Sequence, residues 1–510
     1  MTRHLVLTGF MGAGKSSSAT RLAKQLGREA VDSDALLERE LGMSIPKFFD
    51  KNGEGEFRER EEALIATVLS SDEPAVIALG GGALQSPKTR RALKKHLVVY
   101  LEISADAAWQ RVKNSRRPLA RDEKAFRALH SKRLATYEDT ADAIIPNSPR
   151  GALREALPVL RELLSRSSSS KPNPRMLWAA GKSWGYPSVF DPGVLANGDL
   201  WLARSDAVTV TDEHLAQVYT WLDEGIIVPA GETAKTLAQV ESVCSQLAER
   251  EFERGRQVAA VGGGVVGDLA GFAAAIYQRG TPFIQVPTSL VAQVDSAYGG
   301  KTGVDLPAAK NYAGAFHQPD AVLVDTEALI GLPKAELVAG YAEVIKTALI
   351  AGGRLWKAVA AGVNLEQPLD PWIVFECART KLSVVSADER DANLRQILNL
   401  GHTIGHAIET AAGYGTLRHG EAVSIGLAGA MRLSGDEALR QQVIDVCRAA
   451  GLPVTVSGVS VDTVIEGIKL DKKRKGDVVP FVLVEQPGQV TPGHEASAND
   501  LRAAVEELII

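Results

Sequence analysis

The sequence predicts an α/β protein made of two successive parts, and three observations predict it. A short apolar run, HLVLT at 4–8, passes directly into a Gly-rich turn and then a helical stretch. From about residue 176 strand-like runs alternate with helical ones, the pattern of a sheet covered by helices. Between them, SRSSSSKPNPR at 165–175 combines a Ser run with two prolines and no apolar periodicity, which reads as a linker. The expected parts are residues 1–164 and 176–510. The second divides into an α/β half, 176–335, and a mainly helical half, 336–510.

With 510 residues the chain has room for about three domain-sized units. A formal charge of −5 with mixed signs, and no Lys/Arg block, argues for small-molecule partners and against nucleic acid. Cys244, Cys377 and Cys447 are far apart and form no CxxC pair, so they fit a reducing compartment. MTRHLVLTGF begins at once with a strand-like run, and no apolar stretch reaches spanning length. The expectation is a cytoplasmic chain without a membrane partner.

In the first part, Gly9, Gly14, Lys15 and Ser16 match G-x-x-x-x-G-K-[ST]. Bare backbone N–H groups and a helix N-terminus can cradle phosphates there, while Ser16 holds Mg²⁺. A plain Gly-rich turn explains the glycines but not Lys15 and Ser16 together. Asp32 and Asp34 follow a strand-like REAV, so strand alternation would turn both carboxylates to the loop's mouth. GEGEFRERE at 53–61 places Arg58 on a charged helix beside the exposed backbone of Gly80, Gly81 and Gly82. Arg117 and Arg133 could supply a mobile cation over the nucleotide and a second carboxylate clamp.

GFMGAGKS, DSD, GEGEFRERE, GGG, RPL and R-x-x-x-Y-E together resemble shikimate kinase over residues 1 to about 160. The resemblance implies a P-loop kinase domain like the nucleoside-monophosphate kinases, a parallel sheet with helices. It implies ATP with Mg²⁺ on Gly12, Ala13, Gly14, Lys15, Ser16 and Ser17, with Asp32 near the metal. Shikimate would meet Asp34, Arg58, Gly80, Gly81, Gly82 and Arg133, under a lid carrying Arg117. Phosphoryl transfer asks mainly for positioning and charge neutralisation, so Lys15 and Arg117 would balance the phosphoryl charge while Asp34 aligns or deprotonates the acceptor hydroxyl.

In the second part QVAAV runs into GGGVVGDLAGFAAA, where Gly262, Gly264 and Gly267 satisfy G-x-G-x-x-G. No acidic residue ends the next strand-like run, TPFIQVPTS, so an ordinary Rossmann domain is doubtful. Farther on, His402 and His406 are four apart in a helical stretch and share one face. After a Gly-broken loop, His419 could bring a third imidazole back, a donor type that suits zinc. Spacing alone leaves core or capping histidines as the alternative. Glu343 and Lys346, one turn apart on a predicted helix, could face the same cavity. Glu343 would then be the carboxylate ligand.

GGGVVGDLAGF, PTSLVAQVDSAYGGKTGVD, KNYAGAFHQP, GYAEVIK, LNLGHTIGHAIE, RHGEAV and DKK together resemble 3-dehydroquinate synthase over about 176–510. The resemblance changes the ligand set that periodicity suggests. It implies zinc on Glu343, His402 and His419, while His406 acts on protons; two His and a Glu could also take cobalt or iron. It implies NAD⁺ against Asp212, Glu232, Lys235, Gly263, Gly264, Asp268, Thr288 and Ser289. Heptulosonate phosphate would meet Asp295, Lys301, Lys310, Asn311, Lys346, Lys381, Arg395, Asn399, His406 and one of Lys472 or Lys473. Arg279 would reach a phosphate from a neighbouring subunit, which implies a homodimer through this part.

The chemistry the family implies begins with oxidation of a secondary alcohol, which acidifies the adjacent C–H so that phosphate can leave. Return of the hydride, ring opening and an aldol closure follow. Lys301 and Lys346 can hold negative charge that develops in these steps, and His406 or the substrate's own phosphate can move protons. Asp391 stands where the family has Glu, and His214 and Tyr298 are less usual choices. The competing reading is a zinc-dependent polyol dehydrogenase fused to a non-catalytic P-loop module.

Overall fold

The computed structural model describes residues 3–114, 122–147, 151–166, 173–307, 309–413, 415–470 and 479–510. Arg117, Lys472 and Lys473 lie outside the described residues. The chain forms two compact units, Met1–Val189 and Phe190–Ile510. The hairpin after the Ser/Pro stretch therefore counts with the first unit.

The first unit starts with β1 (Leu5–Thr8), whose four residues are all buried, and a loop that delivers α1 (Lys15–Leu26). Next come β2 (Glu29–Asp32), α2 (Ser33–Leu41) and the long α3 (Ile45–Leu69). Gly53 interrupts α3 at φ 80°, a conformation glycine tolerates, and re-aims the half that carries Arg58. The unit continues through β3 (Ala75–Ala78), α4 (Pro87–Leu93), β4 (Leu97–Glu102), α5 (Ala105–Val112), α6 (Glu123–Thr140) and β5 (Ala143–Pro146). It closes with α7 (Ala152–Glu155), α8 (Leu157–Ser165), β6 (Arg175–Ala180) and β7 (Gly185–Phe190). Strand order is β2-β3-β1-β4-β5-β6-β7, and the pairs from β2 to β6 are parallel. Apolar runs buried on both faces are what a helix-covered parallel sheet requires. A satellite core of Leu37, Phe48, Phe57 and Leu64 anchors α2 to α3.

Two histidines tie the starts of these strands together. His4 N–H donates to Nδ1 of His96 at 3.2 Å, and Nδ1 of His4 accepts from Ala75 N–H at 3.1 Å. Burial, then the charges of His4, Arg3 and Lys95, push His96 from its ordinary 6.5 down to about 4. The unfolded chain takes up this proton at a higher pH than the folded one, so the first unit loses stability as pH falls from 6.5 towards 4. Asp142, raised to about 6 chiefly by burial, acts in the opposite sense. His96→Asn can still accept from His4 and cannot titrate. Its unfolding free energy is expected to fall less than the parent's over this window, measured by denaturant titration at each pH.

The second unit opens with β8 (Val208–Asp212), α9 (Glu213–Val218), β9 (Ile226–Val228), α10 (Leu237–Glu249), β10 (Val258–Gly262), α11 (Gly264–Ile276) and β11 (Phe283–Pro287). α9 stops at Val218, where Tyr219 leaves helical geometry, and a separate turn covers Thr220–Leu222. A two-stranded ribbon, β12 (Lys301–Leu306) and β13 (Ala309–Phe316), precedes β14 (Ala321–Val324). The parallel order is β14-β11-β10-β8-β9. Val210, Ile226, Val258, Leu269 and Phe283 fill the layer between this sheet and the helices.

The remainder is mainly helical, as expected. It comprises α12 (Lys334–Ala351), α13 (Gly353–Ala360), α14 (Pro371–Ala387), α15 (His402–Ala412), α16 (His419–Ser434), α17 (Glu437–Ala449) and α18 (Val461–Leu470). A hairpin of β15 (Pro480–Gln486) and β16 (Gln489–Glu495) and the final α19 (Ala498–Glu506) complete it. Among the described residues no helix is long and apolar enough to cross a membrane.

Candidate active sites

The loop between β1 and α1 is shaped by three glycines with positive φ, Gly9 (142°), Gly12 (85°) and Gly14 (80°). A Cβ on Gly9 would lie 2.7 Å from the Leu101 carbonyl oxygen. Gly14 precedes α1, so the first N–H groups of that helix open onto the loop beside Ala13, Ser16 and Ser17, an arrangement suited to phosphate. Lys15 Nζ donates to the Gly9 carbonyl at 2.7 Å and lies 3.3 Å from that of Phe10.

Strand alternation does not reach Asp34. β2 ends at Asp32, whose Oδ1 accepts from the N–H groups of Asp34 and Ala35 at 3.0 and 3.1 Å and so starts α2. Asp34 therefore belongs to a first helical turn, because a helix cap wins over continued extension. Its carboxylate still faces the Gly-rich turn: a Cβ on Gly80 would stand 2.4 Å from Asp34 Oδ1 and 2.8 Å from Glu61 Oε1. Arg58 meets the same turn, 2.3 Å from a Cβ on Gly82, and its Nη1 donates to Glu61 Oε2 at 2.6 Å. Arg133, buried, donates to the Gly81 carbonyl at 3.0 Å. Tyr137 donates to the same oxygen at 2.5 Å. Burial raises the Glu61 pKa against the pull of Arg58, and Asp34 adds to the rise. Asp34, Arg58, Gly80, Gly81, Gly82 and Arg133 are thus brought together. Glu61 and Tyr137 are members that motif reading did not single out as site residues, although both lie inside the quoted motifs.

In the second unit the fingerprint glycines have separate steric reasons. A Cβ on Gly262 would meet Val266 Cβ at 2.5 Å, one on Gly264 would meet Ser296 Oγ at 3.1 Å, and one on Gly267 would meet Gln285 Oε1 at 2.6 Å. Thr288 N–H donates to the Gly262 carbonyl, which holds Thr288 and Ser289 beside Gly263. The carboxylate missing from the end of β11 stands at the end of β8, the other neighbour of β10: Asp212 caps α9 by accepting from His214 and Leu215 N–H. Lys235 pairs with Asp268 at 2.6 Å, and Glu232 opens the turn before Lys235. His214 is exposed in the first turn of α9, whereas Tyr298 is buried and donates to the Gln293 carbonyl.

Glycines also draw the metal-site helices together. A Cβ on Gly420 would lie 1.8 Å from the Ala339 carbonyl oxygen, and one on Gly426 2.0 Å from that of Gly401. Hence α16 touches both α12 and the start of α15 backbone to backbone. His402, His406 and His419 offer ligand atoms within 4.8 Å of one another. Glu343 reaches two of them: its Oε1 is 3.5 Å from His402 Nε2 and 3.7 Å from His419 Nε2. His402 Nδ1 faces the Leu400 carbonyl at 3.1 Å and His419 Nδ1 faces Glu409 Oε2 at 3.5 Å. Both rings thus aim Nε2 inward with Nδ1 held outside, the orientation of metal-ligating imidazoles. Both Glu343 oxygens are sealed from solvent and make no hydrogen bond of ordinary geometry. A divalent cation fits there. His406 is exposed one turn farther along α15.

Charges alternate outward from Glu343. It contacts Lys346, which lies 3.4 Å from Asp295, and Asp295 lies 2.8 Å from Lys381. Asp295 sits on a π-helical turn, Ala292–Ser296, a local widening common at functional positions. Burial opposes the charge on Glu343, yet Lys346, His402 and His419 hold it well below the usual carboxylate range. Burial works against both lysines too. It is outweighed at Lys346, which lies between two carboxylates, and prevails at Lys381, lowered to about 8, where Lys346 and Arg395 repel. Burial and Lys346 hold His402 far below 6.5, in the neutral form that can ligate.

Lys301, exposed at the start of β12, pairs with Asp391 at 2.6 Å. Asp391 adopts φ 60°, a left-handed conformation that Asp tolerates. Asn311 also has positive φ (55°), and its N–H donates to Asp305. Arg395 is buried, with its guanidinium on the carbonyls of Gly299 and Glu389. Asn399 ends the same turn, Leu394–Asn399. Arg279, at φ 67°, is exposed after α11.

Gly426→Ala is expected to push α16 off the Gly401 carbonyl and so separate His419 from His402. Loss of bound zinc by more than tenfold and a few kcal/mol of stability should follow, since overpacking costs ~1–3 kcal/mol even where the neighbour can shift. Metal analysis and a denaturant titration read both.

Fold and sites define a two-part enzyme, a P-loop phosphotransferase unit followed by a dinucleotide- and metal-binding unit. Residues 11–163 match the family model for shikimate kinase, 225–339 that for the N-terminal domain of 3-dehydroquinate synthase, and 340–474 that for its C-terminal domain. The 3-dehydroquinate synthase of Streptococcus pneumoniae serotype 19F is 39% identical over 341 residues, covering 62% of this chain and 96% of the relative. That of Symbiobacterium thermophilum is 41% identical over 350 residues, 63% and 98%. Among solved structures, the 2-epi-5-epi-valiolone synthase ValA of Streptomyces hygroscopicus, with NAD⁺ and Zn²⁺ bound, is similar at TM-score 0.59 and 27% identity, covering 65% of this chain and 98% of ValA. The chain belongs to the 3-dehydroquinate synthase family and carries a shikimate kinase domain ahead of it.

Proposed function

We propose that the chain is a bifunctional enzyme of the shikimate pathway. Residues 1–164 transfer the γ-phosphoryl group of ATP to the 3-hydroxyl of shikimate, and residues 176–510 convert 3-deoxy-D-arabino-heptulosonate 7-phosphate to 3-dehydroquinate and phosphate. The observation that carries this reading is Glu343, sealed between Lys346 and two inward-facing imidazoles in a family member.

In the kinase half Lys15 holds nucleotide phosphates, Ser16 and Asp32 serve Mg²⁺, and Asp34 aligns the acceptor hydroxyl. Arg58 and Arg133 bind the shikimate carboxylate over the Gly80–Gly82 backbone. In the synthase half Glu343, His402 and His419 hold Zn²⁺, and Asp212, Glu232, Lys235, Gly263, Gly264, Asp268, Thr288 and Ser289 hold NAD⁺. When bound, NAD⁺ supplies a hydride acceptor and the metal a Lewis acid for the alcohol and ketone oxygens. Lys301 and Lys346 hold developing negative charge, and His406 moves the proton at the carbon next to the ketone. Lys310, Asn311, Lys381, Arg395 and Asn399 position the phosphate and carboxylate ends of the substrate, with Asp295 holding Lys381. Arg279 completes the phosphate site of a second copy in a homodimer. The chain works in the cytoplasm, which its three free cysteines suit.

Full-length protein given heptulosonate phosphate, NAD⁺ and Zn²⁺ should release phosphate without net NADH. Net NADH without phosphate would select the polyol dehydrogenase reading instead. Dialysis against a chelator should abolish phosphate release until Zn²⁺ or Co²⁺ is returned, while ATP turnover with shikimate needs only Mg²⁺.

A further inference from the structure

The synthase centre contains a carboxylate that neither periodicity nor the motif assignments mark. Glu409 lies seven residues, about two turns, after His402 on α15 and is buried. Its two oxygens have different partners. Oε2 faces His419 Nδ1 at 3.5 Å, and Oε1 accepts from Lys310 Nζ at 2.7 Å. The partners come from different layers: His419 begins α16, and Lys310 lies on the β12–β13 ribbon.

We propose that Glu409 is a positioning residue that serves metal and substrate at once, fixing the His419 ring with Nε2 towards the metal while holding Lys310 beside the centre. This rests on the reading of His419 as a ligand. The two ligand histidines are oriented by different means. His402 has a neutral acceptor, the Leu400 carbonyl, at Nδ1, whereas His419 has a carboxylate that also carries a lysine. A carboxylate at Nδ1 keeps the proton on that nitrogen, leaves the Nε2 lone pair for the metal and makes the imidazole a stronger donor. The same carboxylate sets where the Lys310 ammonium waits. An anionic substrate group that draws Lys310 towards itself leaves more of the Glu409 charge to His419, so substrate binding and metal affinity favour each other.

Glu409→Gln preserves shape and removes the charge. Zinc affinity, measured by chelator competition without substrate, is expected to weaken by about 10–100-fold, with Glu409→Asp intermediate. Lys310→Met leaves the whole Glu409 charge to His419 and should keep zinc affinity at the parent's or up to about threefold tighter, while raising the KM for heptulosonate phosphate more than tenfold. His419→Ala is measured in parallel. If it binds zinc as tightly as the parent, the ligand assignment fails and this inference with it. If His419→Ala loses zinc but Glu409→Gln binds within twofold of the parent, the ligand assignment stands and Glu409 has no positioning role. Equal zinc loss in Glu409→Gln and Lys310→Met would also overturn the proposal, because the pair would then act only as a structural bridge. Should Glu409→Gln fail to fold, Glu409→Asp and Lys310→Met still decide: zinc affinity weakened in the first and kept or tightened in the second supports the role, and any other pairing overturns it.

Discussion

Lys346→Met is expected to reduce phosphate release from heptulosonate phosphate by at least ~10²–10³, the usual effect of removing a preorganised charge from a reacting centre. It should also lower the stability of the metal-free protein by about 3–5 kcal/mol, since it leaves buried charges without their partner. The Lys346 side chain is 1% exposed, and its ammonium stands between Asp295 and Glu343. Removing it leaves two carboxylates facing each other across a sealed site with Lys381 as the remaining close lysine. Added Zn²⁺ should recover part of the stability, because a divalent cation on Glu343 replaces the lost charge. The double variant with Asp295→Asn should regain stability and not turnover. Parent-like phosphate release from folded Lys346→Met would remove this lysine from the chemistry.

Asp34→Asn is expected to lower ATP turnover with shikimate by about 10²–10⁴, the range for a positioned general base, and to leave phosphate release by the synthase half unchanged. The substitution keeps the start of α2, whose cap is Asp32, so the fold should persist. Glu61 shares the Gly80 turn with Asp34 and is held by Arg58. Asn at position 34 removes a negative neighbour from Glu61, so its pKa falls and Arg58 is bound more firmly. The KM for shikimate is therefore expected to rise along with the loss in kcat. A kcat within threefold of the parent would exclude Asp34 as the base and shift attention to Glu61.

Much of both sites could be read in the chain because the relevant geometry is local. The P-loop is one contiguous turn whose glycines, Lys15 and Ser16 act through adjacent backbone, so the motif carries nearly the whole structure. His402 and His406 follow from helical spacing in the same way. Periodicity could not show which of the two shares a carboxylate with His419. That depends on where α12 places Glu343, and the placement depends on Gly420 and Gly426 letting three helices touch. The conformation of Asp34 departs from strand alternation for a related reason: the strand ends at Asp32, whose side chain starts a helix at the next residue.

Local sequence is enough to specify the two-part α/β pattern, the phosphate loop, the fingerprint glycines and the pool of histidines, lysines and carboxylates from which the metal centre is drawn. Tertiary structure decided the pairings: Lys346 with Asp295 across 51 positions, Lys310 with Glu409 across 99, and Asp212 brought beside the fingerprint by a strand that precedes it. Backbone shape and helical phase are set by neighbours along the chain. The partner of a buried charge is set by which helices and strands can approach, and that is a property of the packed core.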